Sequence, residues 1–363
     1  MKKLEVIIAK IMVIITYYLT FLVPIKKKRI SFISYFNNEL GLEFTKLNDL
    51  LINDGYEIKY SLRQFKGNAL GKLTYLFSFV YQTYLFNTSR IIILDGNNFV
   101  HATIKAKKGV ETVQLWHATG AIKKFGTPTK RRYEIKGYDH LIVASAFFKE
   151  IFAKALNTKI ENVYDLGVCK TDYLFDAEFI EQKKASFYQT NPHLKDKKII
   201  LYAPTFRGEG IEDVKLVSDI GQMKNYLADD YHLLVKLHPL ITKYDLSEDV
   251  EITKDDLYTL LCVADFVISD YSALIFDAVL LNKRIILYLN DFEQYEKERG
   301  LCLNLAQLPL KKGYTINDVC AIIMEYEEDV DNSSFVSEYL LALDGKSTER
   351  IYRHIKVVIE KER

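Results

Sequence analysis

A chain of 363 residues with 49 Lys and Arg against 48 Asp and Glu carries a formal charge of +1. No global field holds a polyanion such as nucleic acid, so any phosphate must be met at a local site. A hydrophobic content of 49%, with 16 Gly and 6 Pro, excludes a disordered, collagen-like or low-complexity protein, and the length suits two domains. The first element is apolar: LEVIIAKIMVIITYYLTFLVP follows Met1-Lys2-Lys3 and precedes Lys26-Lys27-Lys28-Arg29. It approaches the roughly 20 residues of a membrane span. Glu5 and Lys10 interrupt it, basic clusters flank both ends, and no small-residue cleavage site follows. A core helix, a span and a helix lying in the cytoplasmic leaflet all fit. The flanking basic residues favour the last, peripheral placement, with Lys26 to Arg29 on anionic head groups.

Strand-like runs then follow at 30–35, 56–60, 90–95, 112–117, 139–145 and 163–167, with helical segments between several of them. A second series occupies 197–204, 232–239, 264–270 and 283–289, and the carboxyl end from Ile316 reads as helical. Strands alternating with helices predict parallel sheets covered on both faces. The expected fold is therefore α/β, with two Rossmann-type domains and a cleft between them. The polar stretch 182–198 is the expected linker. It separates a domain over 29–181 from one over 197–363, after a membrane-associated segment over 1–28. The four cysteines, Cys169, Cys262, Cys302 and Cys320, are far apart and show no paired ligand spacing, which fits a reducing cytosol.

Such a fold places ligands at the carboxyl ends of its strands. TVQLWHATGAIKKFG leaves a strand at His117 and passes Gly120, Lys123 and Lys124 before Gly126. LYAPTFRGEG ends a strand at Thr205 and Arg207, and VKLHP ends another at Lys236 and His238. VISDYSALIFDAVLL ends a third at Ser269-Asp270-Tyr271-Ser272, with Asp277 about two turns into the following helix. Singly, each has an ordinary reading: Asp270 or Ser272 as a helix cap, Arg207 in a surface ion pair, Lys123-Lys124 as a solvated face. Together, strand ends carrying His, Lys, Arg, Asp and Ser without metal-ligand spacing suit phosphoryl transfer, in which side chains supply the charge. No metal or cofactor is inferred.

WHATGAIKKFG, LYAPTFR, KLHP and ISDYSALIFDAVLLNKRIILYLNDFEQYEKERGL resemble, in order and spacing, the motifs of the CDP-glycerol glycerophosphotransferases of teichoic-acid synthesis. The resemblance covers roughly residues 90 to 305. It implies a GT-B-like pair of domains, peripheral association with the cytoplasmic face of the membrane, CDP-glycerol as donor and CMP as product. The W-H-A form of the first motif and the short chain are similar to members that add a single unit to undecaprenyl-diphosphate-linked N-acetylmannosaminyl-N-acetylglucosamine. Polymerases and ribitol-phosphate transferases share most of these motifs. A GT-B nucleotide-sugar glycosyltransferase is the alternative from another class.

Matched positions imply His117 as the general base, since an unperturbed imidazole titrates near neutral pH. Arg207 and His238 would neutralise the pyrophosphate and the departing CMP, with Lys236 beside them. Ser272 and neighbouring amides would hold phosphate, and Asp270 and Asp277 would bind glycerol or ribose hydroxyls. Gly120, Lys123, Lys124, Thr205, Ser269 and Tyr271 complete the expected substrate contacts. The family often has G-x-P-R-x-D where this chain reads Gly167-Val168-Cys169-Lys170-Thr171-Asp172, so that loop receives no role.

Overall fold

The alternation of apolar runs and helices produces two wholly parallel sheets. The structure, a computed structural model, describes residues 3–64, 69–129, 133–205, 214–227, 229–237, 252–325 and 330–361. Two compact units divide the chain: Met1–His117 with Phe125–Asp172 and Leu341–Arg363, and Ala118–Lys124 with Tyr173–Leu340.

The first unit runs α1 (Lys3–Thr20), β1 (Lys26–Ser34), α2 (Thr45–Asn53), β2 (Glu57–Leu62), α3 (Ala69–Thr88), β3 (Ser89–Leu94), α4 (Phe99–Thr103), β4 (Glu111–Gln114), β5 (His140–Ile142), α5 (Lys149–Ala155) and β6 (Val163–Tyr164). The strand order is β2-β1-β3-β4-β5-β6, so the winding reverses between β1 and β3. Ile30 lies opposite Ile58 on one side and Ile91 on the other, which sets the register of the apolar rows.

The second unit runs α6 (Ala177–Thr190), β7 (Lys198–Ala203), α7 (Val214–Tyr226), β8 (Tyr231–Val235), α8 (Leu257–Val263), β9 (Phe266–Ser269), α9 (Leu274–Leu280), β10 (Arg284–Tyr288), α10 (Phe292–Arg299), β11 (Lys311–Gly313), α11 (Ile316–Glu325) and α12 (Ser333–Tyr339). Its order is β11-β10-β9-β7-β8, reversing between β7 and β9. Its core joins Ile200, Tyr202, Val235, Ile268 and Ile286 from the sheet to Ile220 and Met223 of α7 and Val319 and Ile323 of α11.

The chain then returns to the first unit as α13 (Ser347–Glu360). Ile351, Ile355 and Val358 recur at helical spacing and pack with Ile30, Phe32, Ile91 and Ile93. The Asp172 carboxylate accepts the amides of Ser347 at 3.0 Å and Thr348 at 2.7 Å, capping α13 from 175 residues away. The expected assignment of the whole carboxyl end to the second domain therefore differs from the compact units observed. The expected linker differs too. Residues 182–190 belong to α6, whose Asp176 cap accepts the Phe179 amide, and their polarity is that of an exposed helix face.

At the amino end, a boundary at residue 28 would cut into β1. Lys26, Lys27 and Lys28 are exposed, but Arg29 is buried. Its guanidinium donates to Glu57 at 2.9 Å and Thr88 at 3.0 Å, so it cannot serve a lipid head group as expected. Helix α1 packs on α3 through the buried Ala9 and Val13, and Asn87 donates to the Tyr17 carbonyl at 2.9 Å. Its other face leaves Ile7, Ile11, Ile15 and Leu19 exposed. No helix among the described residues is long and apolar enough to cross a membrane.

Candidate functional site

In the first unit the reversal between β1 and β3 opens the carboxyl edge of the sheet, the usual ligand position in open α/β folds. His117 arrives there because β4 stops earlier than expected, at Gln114. Trp116 adopts φ +55°, the left-handed region, which costs a non-glycine residue about 1–3 kcal/mol. After that turn, His117 Nδ1 lies 3.1 Å from the backbone carbonyl of Asp95, at the end of β3. A carbonyl only accepts, so Nδ1 carries the proton and Nε2 keeps its lone pair.

The imidazole is flanked by Phe36 and Trp116, with ring centroids 4.5 and 4.6 Å away. Burial lowers its pKa to about 4; the Asp95 carbonyl opposes the shift and the Lys170 charge adds to it. The expectation of an unperturbed imidazole is thus corrected, because the aromatic enclosure disfavours the charged form. The base form dominates at neutral pH. Beside it, burial pushes the Asp95 carboxyl up to about 7 against a hydrogen bond from Ser34.

Neighbouring loops are held tightly. Gly126 has φ +69°, and a Cβ there would meet the Ala155 carbonyl, so glycine is required. The loop over 167–172, assigned no role from its sequence, has a structural one. Gly167 at φ +96° makes room for Ser347, and Asp172 caps α13. Lys170 is buried in that loop, and its charge is felt at His117.

In the second unit, the reversal between β7 and β9 is closed by Asp270. Its carboxylate accepts the Thr205 amide at 3.0 Å and the Tyr271 amide at 2.6 Å. The Ser269 hydroxyl donates to the Ala203 carbonyl at 2.9 Å. Tyr271 is fully buried, stacked on Tyr295 at 3.7 Å, and donates its hydroxyl to Asp291 at 2.9 Å. Asp277 accepts the Thr119 hydroxyl, which fastens the loop over 118–124 to α9. That loop includes the buried Gly120 and pairs with residues 300–302. The Lys124 amide donates to the Gly300 carbonyl at 3.0 Å, and the Cys302 amide to Ile122 at 2.7 Å.

Asp270, Asp277, Tyr271 and Ser269, expected as substrate contacts, thus hold the chain itself together. Lys236 donates to the Asp255 carbonyl at 2.5 Å, and partial burial lowers its pKa. Ser272 is half-buried at the approach to α9, while Lys123 and Lys124 are exposed. Arg207 and His238 lie outside the described residues. Among the described residues, no three His, Cys, Asp or Glu side chains are grouped to hold a metal ion.

Reading the sequence missed Asp95, Gln114 and Phe36 at the first-unit site. An aspartate closing the apolar run RIIILD was the one available signal, because a strand end at a sheet edge is where a polar residue serves a ligand.

Comparison with known proteins supplies the family. The model of CDP-glycerol:poly(glycerophosphate) glycerophosphotransferases matches residues 15–357. The teichoic acid ribitol-phosphate primase of Bacillus spizizenii is 30% identical over 362 residues, covering 92% of each chain. The teichoic acid glycerol-phosphate primase of Bacillus subtilis is 31% identical and covers 76% of each. The poly(ribitol-phosphate) polymerase of Bacillus spizizenii is 31% identical over 94% of this chain, but the match spans only 58% of that polymerase. Among solved structures, a variant of the wall teichoic acid polymerase TagF soaked with CDPG superposes with a TM-score of 0.76 at 19% identity, covering 97% of this chain and 94% of that one. The UDP-GlcNAc 2-epimerase of Methanocaldococcus jannaschii gives 0.58 at 13%, covering 91% and 99%. At such identities these two likenesses speak for the fold alone. With its motifs in order and a family match running almost end to end, the chain belongs to the CDP-glycerol:poly(glycerophosphate) glycerophosphotransferase family, the enzymes of teichoic-acid synthesis.

Proposed function

We propose that this protein transfers one glycerol phosphate from CDP-glycerol to a hydroxyl of a lipid-linked acceptor, undecaprenyl-diphosphate-linked N-acetylmannosaminyl-N-acetylglucosamine, releasing CMP. The observation that carries the reading is His117, a half-buried imidazole held neutral with its Nε2 lone pair available. The acceptor hydroxyl gives its proton to Nε2 as its oxygen bonds to the glycerol-bearing phosphorus. The bond from that phosphorus to the bridging oxygen breaks, and CMP leaves with the electron pair. Arg207 and His238 neutralise the charge on pyrophosphate and CMP. Ser272, Lys236, Lys123 and Lys124 provide further donor contacts in the second unit. Asp270 and Asp277 act by keeping their loops in place. Each unit is a Rossmann-type parallel α/β sheet, as a GT-B-like fold requires, and the likeness to TagF and the epimerase supports that reading. Addition of a single unit is supported by the W-H-A form of the first motif, Trp116-His117-Ala118, which resembles that of the single-unit members.

A ribitol-phosphate donor is the second reading, favoured by that same primase. CMP release measured with CDP-glycerol, CDP-ribitol and a panel of UDP- and GDP-sugars tests the assignment. CDP-glycerol is expected to give the highest kcat/KM. Preference for CDP-ribitol would transfer the assignment to ribitol phosphate, and turnover of a sugar nucleotide alone would refute phosphoryl transfer.

The outer face of α1 is the proposed membrane contact. Ile7, Ile11, Ile15 and Leu19 enter the cytoplasmic leaflet, with Lys26 to Lys28 adding roughly 1 kcal/mol each against anionic lipid. Replacing these four apolar residues by serine should abolish sedimentation with anionic vesicles and leave activity on a soluble acceptor analogue unchanged. Undiminished vesicle binding would remove α1 from the membrane contact.

A further inference from the structure

The strained turn that delivers His117 is held by one side chain. Gln114, the last residue of β4, is completely buried, and both ends of its amide are used. Its Oε1 accepts the Trp116 amide at 2.9 Å, bridging the residue whose φ is +55°. Its Nε2 donates to the Gly96 carbonyl at 3.0 Å, one residue beyond the Asp95 carbonyl that takes the His117 proton. The two bonds therefore fasten both backbones between which the imidazole hangs. Gly96 has a second reason to be there, since a Cβ would come 2.8 Å from the Phe36 ring that flanks His117.

We propose that Gln114 is the positioning residue of His117: its amide ties the Trp116 turn to the strand end at Gly96, so that Nδ1–H meets the Asp95 carbonyl and Nε2 alone faces the substrate. The inference rests on the reading of His117 as the base. A left-handed tryptophan persists only where its surroundings over-determine it, and Gln114 is the side chain that does so here. An apolar residue of the same length would fill the space but release the turn.

Gln114→Met in the full chain, with Gln114→Glu as the milder variant keeping only the acceptor, provides the test. Nitrogen-15 NMR of labelled histidine, with the His117 signals identified by their loss in His117→Ala, should show a single Nδ1–H tautomer in the native protein. Gln114→Met should show a mixture, and its kcat should fall roughly 10–100-fold with the donor KM little changed. Gln114→Glu should lie between the two, and it stands in if the methionine variant does not fold. Combined with His117→Ala, Gln114→Met should cause no further loss. An unchanged tautomer or an unchanged kcat in a folded variant would overturn the proposal, as would additive losses in the double variant. Near-native turnover of His117→Ala would instead refute the base assignment, and the tautomer measurement would still decide whether Gln114 positions the ring.

Discussion

Replacing His117 by alanine is expected to lower turnover by roughly 10²–10⁴, the usual worth of a positioned general base, while CDP-glycerol still binds. The direction follows from geometry: the ring's Nδ1 is taken up by a backbone carbonyl of its own unit, which leaves Nε2 for the acceptor proton rather than for holding the donor. The pH profile provides an independent readout. A base whose pKa lies at about 4 is neutral throughout the range in which a free imidazole, at 6.5, would protonate. The imidazole limb of kcat/KM should therefore fall as pH drops through about 4, with no imidazole step at 6.5. An inflection near 7 should belong to Asp95 and vanish in Asp95→Asn. A drop in donor affinity alone, or a limb at 6.5 that survives Asp95→Asn, would contradict the assignment.

The second large effect lies at the opposite, amino-terminal edge of the same sheet. There the buried Arg90 of β3, Glu111 of β4 and His140 of β5 form one chain of polar contacts with the half-buried His354 of α13. His140 Nε2 lies 3.2 Å from Glu111, His354 Nε2 2.9 Å from His140 Nδ1, and Arg90 3.6 Å from Glu111. Arg90 also donates to the Val358 carbonyl, so the cluster grips α13 at two points. Glu111→Ala would leave the arginine and the imidazole without their carboxylate in a buried site. Breaking such a pair on one side costs about 3–5 kcal/mol, a large part of the roughly 5–15 kcal/mol that holds a typical protein folded.

Urea unfolding should shift accordingly, and amide exchange across α13 should accelerate. A loss under about 1 kcal/mol with α13 still protected would show that the cluster contributes little. Acid should act in the same direction. Burial lowers the His354 pKa to about 4, aided by the charges of His140 and Lys361. The unfolded chain takes up this proton first, so the contribution is whole above pH 6.5 and is lost as pH falls from there through about 4.

Much of this architecture could be read from the residues, for identifiable reasons. Runs such as RIIIL and FVIS are apolar at every position, as central strands covered on both faces must be, and their alternation with helices demands parallel pairing. Helix α3 escaped notice because ALGKLTYLFSFVYQTYLFNT has no clear polar face. It carries α1 on one side, and its buried Gln82 bonds Ser61 and Tyr35 on another. The place of α13 was also hidden, since its cap and its grip come from residues 175 and 268 positions away.

At the site, His117 could be found as a polar residue following a strand, but its holder could not. The Asp95 carbonyl, the Gln114 amide and the left-handed Trp116 act across strands, and a tryptophan at positive φ runs against its own backbone preference. Asp270 and Asp277 could be read as polar residues beside the strand end, but not their partners within the chain. A carboxylate looks the same in sequence whatever it accepts, and here Asp270 accepts the amides of Thr205 and Tyr271 while Asp277, within α9, accepts the Thr119 hydroxyl.

The most direct test of the proposed activity is the mass of the product formed from CDP-glycerol and a soluble-tailed analogue of the lipid-linked disaccharide. The account predicts an acceptor heavier by one glycerol phosphate, with one CMP released for each, and no such product from His117→Ala. A ladder of heavier products would contradict single-unit transfer. An unmodified acceptor alongside released CMP would contradict the transfer itself.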